Sequence, residues 1–141
     1  KLAPYPEIPM PRRILIVEDE EALAKSFDEF ITFMGYDVTV AANGYDALEK
    51  VIGGEFDLIT MDIKMPRMGG LEATELIRFR YDISTPIIVI SGYDDKYEKE
   101  LRTLRVTHIL HKPVDLTELK ETIEKILGND REEQEDVEPD S

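Results

Sequence analysis

Asp62 stands at the end of an apolar run, Leu58-Ile59-Thr60-Met61, and is followed by a turn carrying Pro66, Gly69 and Gly70. A short apolar run bounded by turn signals reads as a buried strand, so this carboxylate sits where a strand leaves its sheet. Three other runs end in polar groups. Ile14-Leu15-Ile16-Val17 leads into Glu18-Asp19, Ile87-Ile88-Val89-Ile90 into Ser91-Gly92, and His108-Ile109-Leu110-His111 into Lys112-Pro113. If the strands are parallel, three carboxylates, a hydroxyl and an ammonium converge on the sheet edge at which open α/β proteins bind ligands. That set suits a divalent cation and a phosphoryl group. Mg2+ takes oxygen ligands, commonly one or two carboxylates with waters and phosphate oxygens.

With such a cation, Asp62 is a candidate nucleophile, because a carboxylate accepts a phosphoryl group as an acyl phosphate. The cation neutralises the incoming oxygens and keeps Asp62 ionised. The segment from Met65-Pro66 to Gly69-Gly70 reads as a tight loop that delivers a backbone carbonyl to the metal. Lys112 is expected to pair with Asp62 at rest and with a phosphoryl oxygen afterwards, and Ser91 to donate its hydroxyl to the same group. Lys112–Pro113 is also where a cis peptide can occur. Plainer roles stand beside these: Asp19 as a helix cap, Asp62 as a turn residue, Ser91 as a turn hydroxyl. His108 and His111 lack the spacing of a metal pair.

The elements that must position these residues alternate along the chain. The apolar patterning predicts strands at Arg13–Val17, Asp37–Ala41, Leu58–Met61, Pro86–Ile90 and Thr107–Leu110. Helices are predicted at Glu20–Met34, Tyr45–Ile52, Gly70–Arg80, Lys96–Arg105 and Asp115–Leu127. Leu23, Phe27, Phe30, Ile31 and Met34 recur at helical spacing, Gly35 and Gly128 supply stops, and Asp115 is a good N-cap. Five strand-then-helix units imply a parallel sheet with helices on both faces. The continuous apolar character of the first, third and fourth strands fits burial on both sides.

Composition bounds the rest. A length of 141 residues with 42% hydrophobic content suits one domain. The chain has no cysteine, so disulfides and thiolate metal sites are excluded, which fits a cytoplasmic setting. No apolar stretch approaches a membrane span, and no signal-peptide h-region is visible. The net charge of −14 argues against direct contact with nucleic acid or anionic membrane. Residues 1–11 carry four prolines and read as an extended arm; Met10 is a plausible native start, or the chain is excised from a longer protein. Residues 129–141 read as an acidic disordered tail, leaving residues 12–128 as the folded unit.

Taken together, Ile14 to Glu20, Met61 to Gly70, Ile88 to Gly92 and Lys112-Pro113 resemble, in order and spacing, the receiver domain of two-component response regulators. The resemblance covers about residues 12–127. It implies a (βα)5 flavodoxin-like three-layer fold with strand order 2-1-3-4-5, the order for which a chemotaxis member of this family serves as a standard example. It further implies a bacterial signalling switch rather than an enzyme. Asp62 would accept a phosphoryl group from a histidine kinase or phosphotransfer protein. Asp19, Asp62 and the Lys64 carbonyl would ligate Mg2+, with Glu18 acting through water, while Ser91 and Lys112 grip the phosphoryl group. A downstream protein, or a second copy in a phosphorylation-dependent homodimer, would read the fourth helix, fifth strand and fifth helix.

Three places depart from the family pattern. The residue three before the fifth-strand lysine, usually Tyr or Phe, is Ile109; Gly92 stands where Ala is common; and the usual Gly-Ala before that strand is Arg105-Val106. The signal is therefore expected to travel through Ser91 and the loop Gly92–Asp95 into the fourth helix. The main competing reading is an aspartyl-phosphate hydrolase of haloacid-dehalogenase-like type. Such an enzyme needs an acid two residues after the nucleophile, where this chain has Lys64.

Overall fold

The computed structural model describes residues 10–92 and 95–128. The first nine residues of the Pro-rich arm, the acidic stretch 129–141 and loop residues 93–94 lie outside the described residues.

The strands are β1 (Arg13–Val17), β2 (Asp37–Ala41), β3 (Leu58–Asp62), β4 (Ile87–Ser91) and β5 (His108–His111). They form one parallel sheet ordered β2-β1-β3-β4-β5. The helices are α1 (Glu21–Phe33), α2 (Gly44–Gly53), α3 (Gly70–Glu75), α4 (Glu98–Thr103) and α5 (Leu116–Leu127). Successive side chains of a strand point to opposite faces, and both faces here are apolar. Leu15, Val17, Ile59, Met61, Ile87 and Val89 pack with residues of α2, α3 and α4. Ile14, Ile16, Leu58, Ile88, Ile90 and Leu110 pack with Phe27 and Ile31 of α1 and Leu119 and Ile123 of α5. Two cores thus sandwich the sheet, as expected of parallel strands covered on both sides.

Local chemistry ends the helices where the sequence places the signals. Asn43 Oδ1 accepts the Asp46 N–H at 2.9 Å ahead of α2, and Asp115 Oδ1 accepts the Thr117 N–H at 2.8 Å ahead of α5. Gly35 adopts φ +104° after α1, a left-handed conformation that glycine takes without a Cβ penalty. Asp19 does not cap α1. The N-cap position is Glu20, whose N–H is instead held at 3.2 Å by Glu18 Oε2.

Two expected helices differ in form. The segment Gly70–Arg80 is not one α-helix: α3 passes into a π-helical turn at Leu76–Arg80, with the Tyr81 N–H reaching the Leu76 carbonyl at 3.0 Å. The fourth helix divides into a 3-10 turn at Asp95–Tyr97 and the short α4. It stops because Arg105 turns left-handed at φ +61°. The strands β4 and β5 begin one residue later than their apolar patterning predicts, at Ile87 and His108.

The loop after β3 is close-packed. The Gly70 N–H bonds the Ile63 carbonyl at 2.9 Å, and a Cβ at Gly70 would strike the Asp62 backbone. At Gly53, by contrast, a Cβ would meet nothing within 4 Å. Gly70→Ala is therefore expected to destabilise by about 1–3 kcal/mol, as overpacking does. Gly53→Ala should be neutral or stabilising by up to about 1 kcal/mol through helix propensity. Urea melts of the two variants check this, and equal midpoints would contradict the close approach at Gly70.

Candidate functional site

Strand register brings the polar strand ends together. Val17 lies beside Met61, Asp62 beside Ile90, and Ser91 beside His111. The ladder continues past each strand, with the Glu18 N–H on the Ala41 carbonyl at 3.0 Å and the Lys112 N–H on the Ser91 carbonyl at 2.7 Å. Glu18, Asp62, Ser91 and Lys112 consequently share the carboxyl edge of the sheet. Carboxylate oxygens of Glu18, Asp19 and Asp62 all lie within 4.8 Å of one another. Glu18 and Asp62 are buried, at 3% exposure each, whereas Asp19 faces solvent.

A single cation answers this charge among the described residues. Lys112 Nζ lies 3.3 Å from Asp62 Oδ1 and 3.6 Å from Glu18 Oε2. The Lys112–Pro113 peptide that follows is cis. Three carboxylates against one ammonium leave the edge short of positive charge, and the titration behaviour reflects it. Burial, then the neighbouring Asp62 carboxylate, pushes Glu18 up from 4.5 to about 7. Burial also raises Asp62; Lys112 opposes this and Asp19 adds to it. Burial acts to lower Lys112, but the Asp62 and Glu18 carboxylates outweigh it and hold Lys112 above the ordinary lysine range.

Asp62 Oδ2 is buried and has no hydrogen-bond partner among the described residues. A buried polar atom of this kind needs a partner, and here it lies amid carboxylates. The donor set is all oxygen, which suits a hard divalent cation such as Mg2+. The residues present therefore fit the metal that the sequence implies. Lys64 follows in the β3–α3 loop with its side chain exposed, so its contribution would be its backbone carbonyl.

Ser91 sits at the neighbouring strand end, with its hydroxyl donating to the Gly92 carbonyl at 3.1 Å. His111 Nδ1 lies 3.3 Å from the same carbonyl and takes no part in the carboxylate cluster. Between Ser91 and α4 is a small cleft of about 10 Å³, bordered by Ile63, Tyr97, Leu101 and Ile109. One notable residue has no place in the sequence reading. Arg78 is buried at 3% exposure and donates four hydrogen bonds to backbone carbonyls. Its signal was a charge on a core stripe: Leu71, Thr74 and Arg78 follow i, i+3, i+7 spacing.

A parallel five-stranded sheet of this order, with an acidic cluster and a lysine at its carboxyl edge, defines a flavodoxin-like α/β protein of receiver type. A family model described as the response regulator receiver domain matches residues 14–124. The transcriptional regulatory protein CrdR of Helicobacter pylori is 34% identical over 122 residues, covering 86% of this chain and 57% of that protein. Regulator of RpoS of Escherichia coli K12 is 44% identical over 115 residues, covering 79% of this chain and 34% of that protein. The chain thus spans well under two thirds of the length of either relative.

Among solved structures, response regulator TrrA of Thermotoga maritima, in complex with Mg2+ and BeF, is 34% identical with a TM-score of 0.72, over 82% of this chain and 98% of that one. A CheY-like receiver domain protein of Methanospirillum hungatei is 31% identical with a TM-score of 0.77, over 89% and 99%. This chain belongs to the response regulator receiver-domain family of two-component signalling.

The raised Glu18 pKa has a consequence for stability. Between its ordinary 4.5 and about 7, the folded protein binds more protons at Glu18 than the unfolded chain does. Glu18 therefore contributes stability that is complete below the lower value and lost as pH rises through the upper one. Without divalent metal, the melting temperature should fall between about pH 5 and about pH 8, and Glu18→Gln should flatten that fall. An equal fall in the variant would assign the slope to general charge repulsion instead.

Proposed function

We propose that this chain is a phosphorylation switch in which Asp62 accepts a phosphoryl group from the phosphohistidine of a histidine kinase or phosphotransfer protein. The observation that carries the reading is Asp62 itself: buried, one oxygen on Lys112 and the other without a partner, with two further carboxylates beside it. An Asp62 oxygen attacks phosphorus, the bond from phosphorus to the imidazole nitrogen breaks, and the imidazole leaves. Asp19, Asp62 and the Lys64 carbonyl, with Glu18 through water, would hold Mg2+, which would supply positive charge to the phosphoryl oxygens.

The chain's own groups then rearrange. Lys112 is within reach of Asp62 and transfers its ion pair to a phosphoryl oxygen. Ser91 exchanges the Gly92 carbonyl for a phosphoryl oxygen as hydrogen-bond acceptor. Ser91 and Gly92 precede the 3-10 turn and α4, so this exchange pulls on the segment that leads into the α4–β5–α5 face. That face would be read by a downstream protein or by a second copy of the chain. Its mixed charge, with Lys96, Lys99, Arg102 and Arg105 beside Glu98 and Glu100, favours salt-sensitive contacts of modest strength. On this reading residues 12–128 form the receiver unit, working in the cytoplasm, with the arm and acidic tail outside it. No helix among the described residues is long and apolar enough to cross a membrane.

Labelling with acetyl phosphate, resolved on a phosphate-affinity gel, tests the assignment. The wild-type protein should label with Mg2+ and not with EDTA, and Asp62→Asn should lose the label. Undiminished labelling of Asp62→Asn would place the phosphoacceptor elsewhere.

A further inference from the structure

Arg78 is a buried cation with no carboxylate in ion-pair range among the described residues. Burial lowers its pKa, and the Arg105 charge adds to that, yet a guanidinium stays protonated in proteins. Its charge is met by backbone alone. Nε donates to the Leu104 carbonyl at 2.7 Å and Nη2 to the Arg105 carbonyl at 3.2 Å. Nη1 donates to the carbonyls of Ile83 at 2.8 Å and Thr85 at 2.9 Å. The π-helical turn Leu76–Arg80 carries Arg78, and turns of this kind often sit at functional positions.

The four carbonyls come from two places in the chain. Ile83 and Thr85 lie just before β4, and Leu104 and Arg105 lie just after α4. One side chain therefore ties both ends of the β4–α4 unit together at its base. The carbonyls after α4 face a cation, the favourable charge for a helix C-terminus. Arg105 holds a left-handed φ of +61°, a conformation that persists only where its surroundings fix it. Leu104 beside it is buried at 3%.

The other end of the unit is built differently. Within α4 only Leu101 is buried, and the small cleft lies at the end near Ser91 and Tyr97. Ser91 meets Gly92 there through the one hydroxyl bond that phosphorylation would redirect. The base is tied by four hydrogen bonds from one side chain, and the other end borders the cleft.

We propose that Arg78 is a positioning residue that fixes the C-terminal end of α4, so that α4 turns about that end when Asp62 is phosphorylated. The proposal rests on the switch reading above and adds the pivot. Arg78 touches no reacting atom; it determines which end of α4 answers Ser91. A lysine could not replace it, because an ammonium carries no planar fork to span both segments.

The chain has no cysteine, so spin-label pairs can be placed without background. Exposed Glu75 on α3 serves as the reference, paired with Lys99 near the start of α4 or Thr103 at its end, each changed to Cys. Distances are measured by double electron–electron resonance with and without Mg2+ and beryllofluoride, and fluorine NMR reports that the mimic is bound. In the wild-type background the 75–99 distance should shift and the 75–103 distance should hold. In Arg78→Lys and Arg78→Met, checked for folding by their melts, the 75–103 distance should shift or broaden as well. Equal shifts of both wild-type distances would overturn the pivot while leaving the switch intact. A 75–103 distance still fixed in a folded Arg78 variant would also overturn it. Bound beryllofluoride with neither distance changed would instead overturn the route through α4, and the pivot with it. The wild-type pair can still overturn the pivot even if both Arg78 variants fail to fold.

Discussion

The carboxyl edge of the sheet holds a charge arrangement that the protein cannot satisfy alone. Glu18, Asp19 and Asp62 are brought within 4.8 Å, and Lys112 is the cation that pairs with them. Like charges at such distances disfavour joint ionisation, and two of the three are buried, which adds the cost of desolvation. Parallel pairing of β1, β3, β4 and β5 enforces the arrangement, because the apolar cores on both faces fix the register. A register slip would turn every strand's side chains to the wrong face. The stability of the sheet thus holds together a cluster of like charges, and a divalent cation is the kind of group that can relieve that repulsion.

The same cluster explains the arrangement around it. Lys112 bridges Asp62 and Glu18, so any group that takes Asp62 must also redirect Lys112. Ser91 sits one strand away with its hydroxyl already satisfied by the Gly92 carbonyl, so redirecting it disturbs the backbone that leads to α4. At the far end of that segment Arg78 holds the carbonyls of Ile83, Thr85, Leu104 and Arg105. The β4–α4 unit thus carries the single Ser91 hydroxyl bond at one end and the four Arg78 hydrogen bonds at the other. Ile109 borders the cleft between them with an aliphatic side chain.

Much of this was legible in the sequence, and the parts that were not have physical reasons. Alternating strand and helix patterns carried the order of elements, and polar residues ending apolar runs carried the site, because burial on both faces leaves only strand ends for polar groups. The strand starts at β4 and β5 and the ends of α1 shifted by a residue, where apolar patterning has no sharp edge. The π-helical turn was hidden, because Gly70–Arg80 has the periodicity of an ordinary helix. Arg78 showed only as a charge on the core stripe, which does not tell its role. Its partners are backbone carbonyls, which every residue has, so nothing in the residue types of 83–85 or 104–105 announced them. The residue types alone did not separate Glu18 from Asp19, which only the resemblance ranked; the fold buries Glu18 and turns its carboxylate to the Glu20 N–H and Lys112.

The central claim is that Lys112 occupies, in the resting state, part of the electrostatic role a divalent cation takes. Mg2+ titration by calorimetry of the wild-type protein and of Lys112→Met tests it most directly. Removing the competing ammonium leaves the three carboxylates with no cation of their own. Lys112→Met should therefore bind Mg2+ as tightly as the wild type or more tightly. Loss of saturable Mg2+ binding in a folded Lys112→Met, or its absence from the wild-type protein at millimolar Mg2+, would contradict the account.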